Sequence, residues 1–503
     1  MGLFVTSSGT NRHGVFATEV TPPAVVRGSG SRVVACVGQL PWGPTGEVVE
    51  PTSLADARLM FAPPGMSRTG TGYLAFFTAK TFGAMRVVRV VGTTAAKATA
   101  TLVNAVPTNL ITLTAKYKGV AGNSLSAVVS DASDGDANHF DLAVSITGAS
   151  GSWTDTLKNV NYSGVGTETS LTQAQLDVLK LIGAPTKLAS GRPTNGTYTF
   201  SSGSEGTAAA TDYVGTAGSG DAGMALLEGD PAVRIVITDD PGNSLRAAVN
   251  AGLVAHAIRM GDRVAFMNGP SGQSASAART NRATFTATDR LVYFDPWCYE
   301  YDDVTAAEQL VQTAPFAASI ASYYPESTSI AWKAAEVQAL LAGIVRLEAA
   351  RGEAAGTNTD NGVATFIKEI SGGHTIEADV TAVAPTSPSL RKLTRRRVTD
   401  AIAIALTTSL RDFVDAANVP QNRLKIRTAV NGYLGGLKRA QNGDPDHSLY
   451  ILDYAILPDS ETNTQESLDA GKYTLGIRVK DGSSMEQIFF QIESGESVNI
   501  TTT

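Results

Sequence analysis

The period of apolar and polar positions changes several times along this 503-residue chain, and the changes mark out its elements. Near the start, HGVFATEV (His13 to Val20) alternates apolar with polar positions and is closed by Pro22–Pro23. Near the finish, MEQIFFQIE (Met485 to Glu493) puts Ile488, Phe490 and Ile492 on one face and Phe489, Gln491 and Glu493 on the other. A period of two reads as β-strand. Strands at the extremes of a chain are sheet edges, which need cover or recruit a neighbour. Two such arms permit head-to-tail linking, each subunit lending strands to its neighbours' sheets. That points to a polymer rather than a catalyst.

Between the arms, VVACVG (33–38) reads as a buried strand, followed by a turn at Trp42-Gly43-Pro44 and a helix over Ser53 to Phe61. The segment Gly72 to Gly92 reads as a helix and then, from Met85 to Val91, as a strand. From Thr93 to Gly223, clusters of Gly, Ser, Thr, Asn and Asp separate short alternating runs at Leu110–Tyr117, Leu125–Ser130 and Phe140–Ile146. That pattern predicts an inserted β-sandwich or small barrel. After Gly229 the strand–helix rhythm returns, with strands at Val233–Thr238, Arg263–Gly269 and Arg290–Trp297. A helix capped by Asn243 or Ser244 and a second over Ser274–Thr284 lie between them, the signature of a parallel or mixed sheet covered on both faces.

The remainder predicts a long helix over Ile330–Ala350, with Val337, Leu340, Leu341, Ile344 and Leu347 on one side, and an irregular stretch over 352–388. Further long helices are expected over Leu390–Ala416 and Asn422–Gln441, then strands Leu449–Leu457, Tyr473–Val479 and Met485–Ile492. The fold class is α/β (α+β) and multidomain: a discontinuous mixed-sheet core with an inserted β-rich, sandwich- or barrel-like domain and terminal strand arms. The expected bounds are an N-terminal arm over 1–22, a first core segment over 23–92 and an outward-facing insertion over 93–227. The chain then returns to the core over 228–483 and ends in a C-terminal arm over 484–503.

Composition narrows the function. Charged residues are 17% of the chain, against about 25% in ordinary globular proteins, which suits a surface covered in an assembly. A net charge of −7 gives no general attraction to nucleic acid or anionic membrane. No apolar run reaches the roughly 18 residues of a membrane span, and the N-terminus lacks the basic start and apolar stretch of a secretory signal. Met1 to Thr6 fits the loose myristoylation pattern, which coincidence explains. Cys36 and Cys298 lie in apolar, strand-like segments and read as buried free thiols of a cytosol-made protein.

The order of segments resembles the contractile tail sheath proteins of bacteriophages and related contractile injection systems. The opening is similar in HGVFATEV, in SRVVACVGQLPWGPTGEVVEPTSLADARLMF (Ser31 to Phe61) and in the helix–strand unit ending RVVRV. The middle is similar in ITLTAKYKGVAGNSLSAVV (Ile111 to Val129). The C-terminal third carries ASYYPESTSIAWKAAE (Ala321 to Glu336), RKLTRRRVTDAIAIALTTSLRDFV (Arg391 to Val414), YLGGLKR and SETNTQESLDAGKYTLGIRV (Ser460 to Val479). At 352–388 the family's Gly-Ala-Arg-Thr stretch is not found, which marks a divergent branch.

The resemblance implies a structural subunit, not an enzyme and without cofactor or metal. Copies would stack helically around an inner tail tube protein and contract to drive the tube through a target envelope. The implied partners are further copies of the chain, the tube, and baseplate and tail terminator proteins, with no direct nucleic-acid contact and no membrane insertion. The implied location is the virion, after assembly in the host bacterial cytoplasm. Val15, Phe16, Thr18, Val20, Ile488, Phe489, Phe490 and Ile492 are then the inter-subunit arm residues. The basic helix Arg391, Lys392, Arg395, Arg396 and Arg397 would face the tube or a neighbouring subunit, with Leu393, Val398, Ile402 and Leu406 packing inward. A solvated helix face is the plainer reading of the same cluster, and DNA contact a weaker one.

The chief rival is a dinucleotide-binding α/β enzyme. Gly218-Ser219-Gly220-Asp221-Ala222-Gly223 is a literal GxGxxG, and Asp239 ends a strand at the distance a ribose-binding carboxylate needs. Against it, TAAATDYVGTA before the loop is a poor strand, and only about five residues separate Gly223 from Gly229. Gly70 to Ala75 resembles the fingerprint too, but entry into a helix explains it. No phosphate loop or GxSxG elbow occurs, and His13, His139, His256, His374 and His447 form no metal-ligand spacing. Asp239–Asp240 and Asp302–Asp303 end strands, where capping and turn formation account for them. An adhesin or surface-layer protein would explain the insertion but not the α/β core.

Overall fold

The computed structural model describes residues 32–66, 71–78, 80, 82–161, 171, 173–302, 305–331, 341, 343–369, 372–383, 391–440 and 451–480. They fall into two compact units, the first ending at Asp400 and the second beginning at Ala401. The first starts with β1 (Val33–Gly38), buried along its whole length. Helix α1 (Leu54–Phe61) follows, its N-terminus satisfied by the Ser53 hydroxyl, which accepts from the Asp56 amide at 3.1 Å. Helix α2 (Thr71–Phe77) then leads to β2 (Met85–Arg89), parallel to β1.

Among the described residues the insertion contains seven strands: β3 (Lys97–Val103), β4 (Asn109–Lys118), β5 (Ser126–Asp131), β6 (His139–Gly148), β7 (Gly151–Asn161), β8 (Thr186–Lys187) and β9 (Gly196–Thr199). They form two antiparallel sheets, β3-β4-β8 and β7-β6-β5-β9. On β6 every second side chain from Phe140 to Ile146 is buried, the alternation expected when one sheet face meets a core. Leu102 and Leu113 of one sheet and Phe140, Leu142 and Val144 of the other belong to a single apolar cluster, so the packing is sandwich-like.

The central sheet resumes with β10 (Val233–Thr238), α3 (Asn243–Met260), β11 (Val264–Asn268), α4 (Ala275–Ala283) and β12 (Leu291–Asp295). Then come β13 (Cys298–Asp302), β14 (Ala307–Val311), the buried helix α5 (Ala314–Tyr323), β15 (Ile344–Leu347), α6 (Ala354–Asp360), β16 (Val363–Lys368) and β17 (His374–Ile376). The sheet order is β17-β16-β12-β11-β10-β1-β2, parallel throughout except for β17. Apolar clusters lie on both faces: Cys36, Ile235, Phe266 and Phe294 in one, Ala35, Val236, Ala265 and Tyr293 in the other. Cys36 and Cys298 are buried free thiols, and burial pushes both well above the ordinary thiol range.

Three expectations fail in this unit. Neither Asn243 nor Ser244 caps α3, which follows Gly242 and makes no side-chain cap bond. Ile344–Leu347 is not the end of a long helix but strand β15, paired antiparallel with β13; residues 332–340 lie outside the described residues. The stretch over 352–388 is not irregular: α6, β16 and β17 occupy it, and β16 joins the central sheet beside β12. In the latter two places a partner distant in sequence organises a segment whose local pattern is short or ambiguous. The elements β13, β14 and α5 are additions that the local pattern does not announce.

Helix α7 (Leu393–Ser409) begins in the first unit, and its residues from Ala401 onward belong to the second. The second unit continues with α8 (Pro420–Ala440), opened by proline, whose missing N–H costs nothing at a first helical position. Strands β18 (Asp453–Ile456) and β19 (Ile477–Lys480) then pair antiparallel.

Candidate functional site: the basic helix, the C-terminal ribbon and the glycine loop

The start of α7 is fastened rather than displayed. The Asp379 carboxylate accepts the Thr394 amide at 3.1 Å and the Thr394 hydroxyl as well. Three residues on, Arg397 is 7% exposed and donates to the carbonyls of Ala321 (2.7 Å), Tyr324 (2.9 Å) and Thr328 (3.3 Å). Burial lowers its pKa, and Glu326 and Asp379 oppose that drift. Arg396 bridges Asp289 at 3.0 Å and Asp400 at 2.6 Å. Asp400 also takes both ends of the Arg290 fork, at 2.7 and 2.9 Å. Burial works against the Arg396 charge, but the two carboxylates outweigh it and raise the pKa.

Arg396 and Arg397 are therefore spent inside the chain. Arg391 donates to the Thr359 carbonyl at 2.7 Å and approaches Asp360 at 3.4 Å. Lys392 and Arg395 are half-buried. Leu393, Val398 and Ile402 are buried, while Leu406 is half-buried. The helix thus carries much of its positive charge as an internal bolt, which the spacing of its residues does not disclose.

In the second unit, β18 and β19 form a two-stranded ribbon with the register Asp453↔Lys480 to Ile456↔Ile477. Helix α8 packs against it: the Tyr454 hydroxyl donates to Asn431 Oδ1 at 2.9 Å, and Lys438 pairs with Asp453 at 2.6 Å. Arg427 reaches the Leu457 carbonyl at 2.8 Å and Asp459 at 2.7 Å. The ribbon itself is largely exposed or half-buried, Val479 being 37% exposed. Among the described residues neither outer edge has a further strand. A lone two-stranded sheet is marginal in water. The arm residues Val15, Phe16, Thr18, Val20, Ile488, Phe489, Phe490 and Ile492 lie outside the described residues.

The glycine loop does not build a nucleotide cradle. It follows a short helix, Ala210–Val214, instead of a strand, and opens a 3-10 turn over Gly223–Gly229. The Gly218 amide donates to Glu228 at 2.8 Å, and Asp221 accepts the Thr216 amide at 2.9 Å, which with neighbouring hydrogen bonds holds its carboxyl down to about 2. Two carboxylates where a pyrophosphate would lie repel it. Asp239 is fully buried and accepts the Gln39 amide at 3.0 Å, so it ties β10 to the end of β1 and offers no face to a ribose. Asp240 is paired with Arg246 at 2.7 Å, and Asp302 accepts from the Thr305 hydroxyl at 2.8 Å.

A cavity of about 540 Å³ opens between β15, α6 and β17, lined by Arg346, Arg351, Glu353, Lys368, His374 and Glu377 among others. Arg351 is clamped on buried Asp295 at 2.5 and 3.0 Å. Burial, then Lys368, holds His374 below its ordinary value, and burial raises Glu377. Among the described residues no group of three or more His, Cys, Asp or Glu is placed to hold a metal ion. No described helix is long and apolar enough to cross a membrane.

The chain combines a mixed-sheet α/β core, a β-rich insertion and a helix-backed ribbon near the C-terminus, and its fold is similar to that of contractile tail sheath proteins. The sheath tail protein of Desulfitobacterium hafniense superposes with a TM-score of 0.59 at 14% identity, covering 89% of this chain and 94% of that one. That of Listeria innocua gives 0.58 at 15% identity, with 91% and 96% covered. The contracted helical sheath of the anti-feeding prophage gives 0.54 at 13% identity, with 96% and 99% covered. By sequence, no protein-family model and no curated protein matches the chain. The resemblance read from the segments therefore holds across nearly the whole fold.

Proposed function

We propose that this chain is a structural subunit of a contractile tail sheath, polymerising around an inner tube and contracting to drive that tube through a target cell envelope. The observation that carries the reading is the near-complete fold likeness, in both directions of coverage, to sheath chains of contractile assemblies. The terminal arms, 1–22 and 484–503, add strands to the edges of the β18–β19 ribbon in adjacent copies, a β-augmentation. Four to six hydrogen bonds at about 0.5–1.5 kcal/mol each hold such a link by a few kcal/mol. Burial of Phe489, Phe490 and Ile492 adds about 1.5–3 kcal/mol apiece. The core is built from 23–92 and 228–483, and the 93–227 insertion faces outward.

At the start of α7, Arg391 and Lys392 just before it and Arg395 within it meet the tube or a neighbouring subunit, while Arg396 and Arg397 brace the helix. The partners are other copies, the tube protein, and baseplate and tail terminator proteins. The location is the virion or injector particle, after assembly in the host cytoplasm. Energy for contraction resides in inter-subunit packing, without nucleotide turnover. Negative-stain electron microscopy of the full chain beside a variant lacking 1–22 and 484–503 tests this. Hollow, striated tubes or rings from the full chain alone are expected. Compact discrete particles from both, across salt and concentration, would sink it.

A further inference from the structure

Arg282 carries a charge that no described carboxylate balances. It lies in the last turn of α4, over the corner that joins α6 to β16. The corner turns at Gly362 with φ +70°, where a Cβ would stand 3.2 Å from Arg282 Nε and 2.9 Å from the Thr381 carbonyl oxygen. Glycine there lets the guanidinium settle onto bare backbone. Yet Arg282 Nε and Nη2 are both buried and meet no hydrogen-bond partner. Burial alone acts on its pKa, lowering it with nothing to oppose the drift.

Two more unmet groups stand at the same corner. Arg391 places Nη2 on the Thr359 carbonyl at 2.7 Å and near Asp360 at 3.4 Å, while its Nε is buried without a partner. The Thr359 hydroxyl is likewise buried and unpartnered. Asp360, whose side chain is 73% exposed, takes only the edge of Arg391. Arg397 shows the contrast, since carbonyls of its own chain take up its buried nitrogens.

A half-buried cation with two buried, unpartnered nitrogens loses hydration without compensation, and an arginine fork matches an oxyanion in geometry and charge. We propose that Arg282, Arg391 and Thr359 form an oxyanion-binding site. Its ligand is either free inorganic phosphate or a carboxylate presented by a second copy of this chain, which offer the same acceptor chemistry.

The test is thermal unfolding of the full chain at constant ionic strength, with and without inorganic phosphate, for the wild type, Arg282→Met and Arg282→Lys. Phosphate raises the wild-type Tm saturably; Arg282→Met weakens the apparent phosphate affinity by about tenfold or more, and Arg282→Lys falls between. In phosphate-free buffer Arg282→Met is no less stable than the wild type, because it discards an unpaired charge. If phosphate leaves the dispersed chain unchanged but Arg282→Met reduces self-assembly in sedimentation, the ligand is the carboxylate of a second copy. If neither readout moves, or if Arg282→Met destabilises the phosphate-free chain, its own chain satisfies the guanidinium and the proposal is overturned. The phosphate arm stands or falls independently of the sheath reading.

Discussion

The central sheet of the first unit and the ribbon of the second are both β-structure, and they solve opposite problems. Strands β11 and β12 are buried at every position and paired on both sides. Strands β18 and β19 contain no buried residue, and among the described residues each is paired on one side only. The first is finished within the chain; the second is backed by α8 and paired, among the described residues, only with itself. In the proposed sheath subunit, the first would hold the shape and the second would serve polymerisation. The insertion sides with the finished sheet. Its core includes Trp42, which meets Tyr117 edge-on at 5.3 Å, and Ser150 accepts the Gly65 amide at 3.0 Å. Buried Arg89 donates to Leu40 (2.8 Å), Gly43 (2.9 Å) and Lys118 (2.9 Å) carbonyls and pairs with Glu205 at 3.0 Å, so the insertion moves with the sheet that carries it.

The sharpest way to break the contrast is in the sheet. Phe294 is fully buried between Phe266 and Phe366, at ring separations of 5.2 and 5.9 Å. Phe294→Ala is expected to cost about 3–5 kcal/mol, read as a lower midpoint in chemical denaturation; a loss under about 1 kcal/mol would show a loosely packed sheet. Next comes the Lys80–Glu300 pair, both side chains at 0% exposure and 2.5 Å apart. Lys80→Met strands a buried carboxylate and costs on the order of 3 kcal/mol, whereas Lys80→Met with Glu300→Leu recovers most of it. Equal losses in the single and double variants would remove the charge argument.

A smaller effect follows from His256, buried between Arg259 and Arg263, whose guanidinium nitrogens lie 3.5 and 3.4 Å from the ring. Burial first, then the two cations, hold its pKa down to about 4. The unfolded chain binds the proton near the ordinary value of about 6.5. Between these values the unfolded state holds more protons, so stability contributed by the neutral ring is full above about 6.5 and is lost as pH falls toward 4. His256→Gln should flatten the stability–pH profile in that window; an unchanged slope assigns it elsewhere. Smallest in stability is Val479→Lys on the exposed ribbon, expected to move the unfolding midpoint by no more than about 0.5 kcal/mol. The same variant should sharply reduce tube formation in electron microscopy. Normal tubes would move the assembly edge away from β19.

Much of the fold was legible because its signals are local. The apolar run 33–38, the strand at 233–238 and the alternation of β6 each declare their burial in a few consecutive residues. What was not legible depends on distant partners. Ile344 and Val345 sit in a stretch with helical spacing, but β13 captures them as a strand, and β-branched side chains suit that capture. Strand β16 is six residues in a Gly/Thr-rich region and becomes core only because β12 lies beside it. The basic helix misled in the same way. Its charge was plain, but Arg396 finds Asp289 across 107 positions and Arg397 finds Tyr324 across 73.

Periodicity and composition along the chain set the alternation of elements, the inserted β-rich segment, the two buried thiols and the low fraction of charged residues, because each follows from nearest-neighbour chemistry or composition. Only the tertiary structure decided which arginines are bolts, that Asp239 ties two strands together instead of facing a ligand, and that the last described strands pair as a two-stranded ribbon. Those outcomes rest on which groups meet across tens to hundreds of residues, where charge and hydrogen-bond geometry, and not periodicity, select the partner.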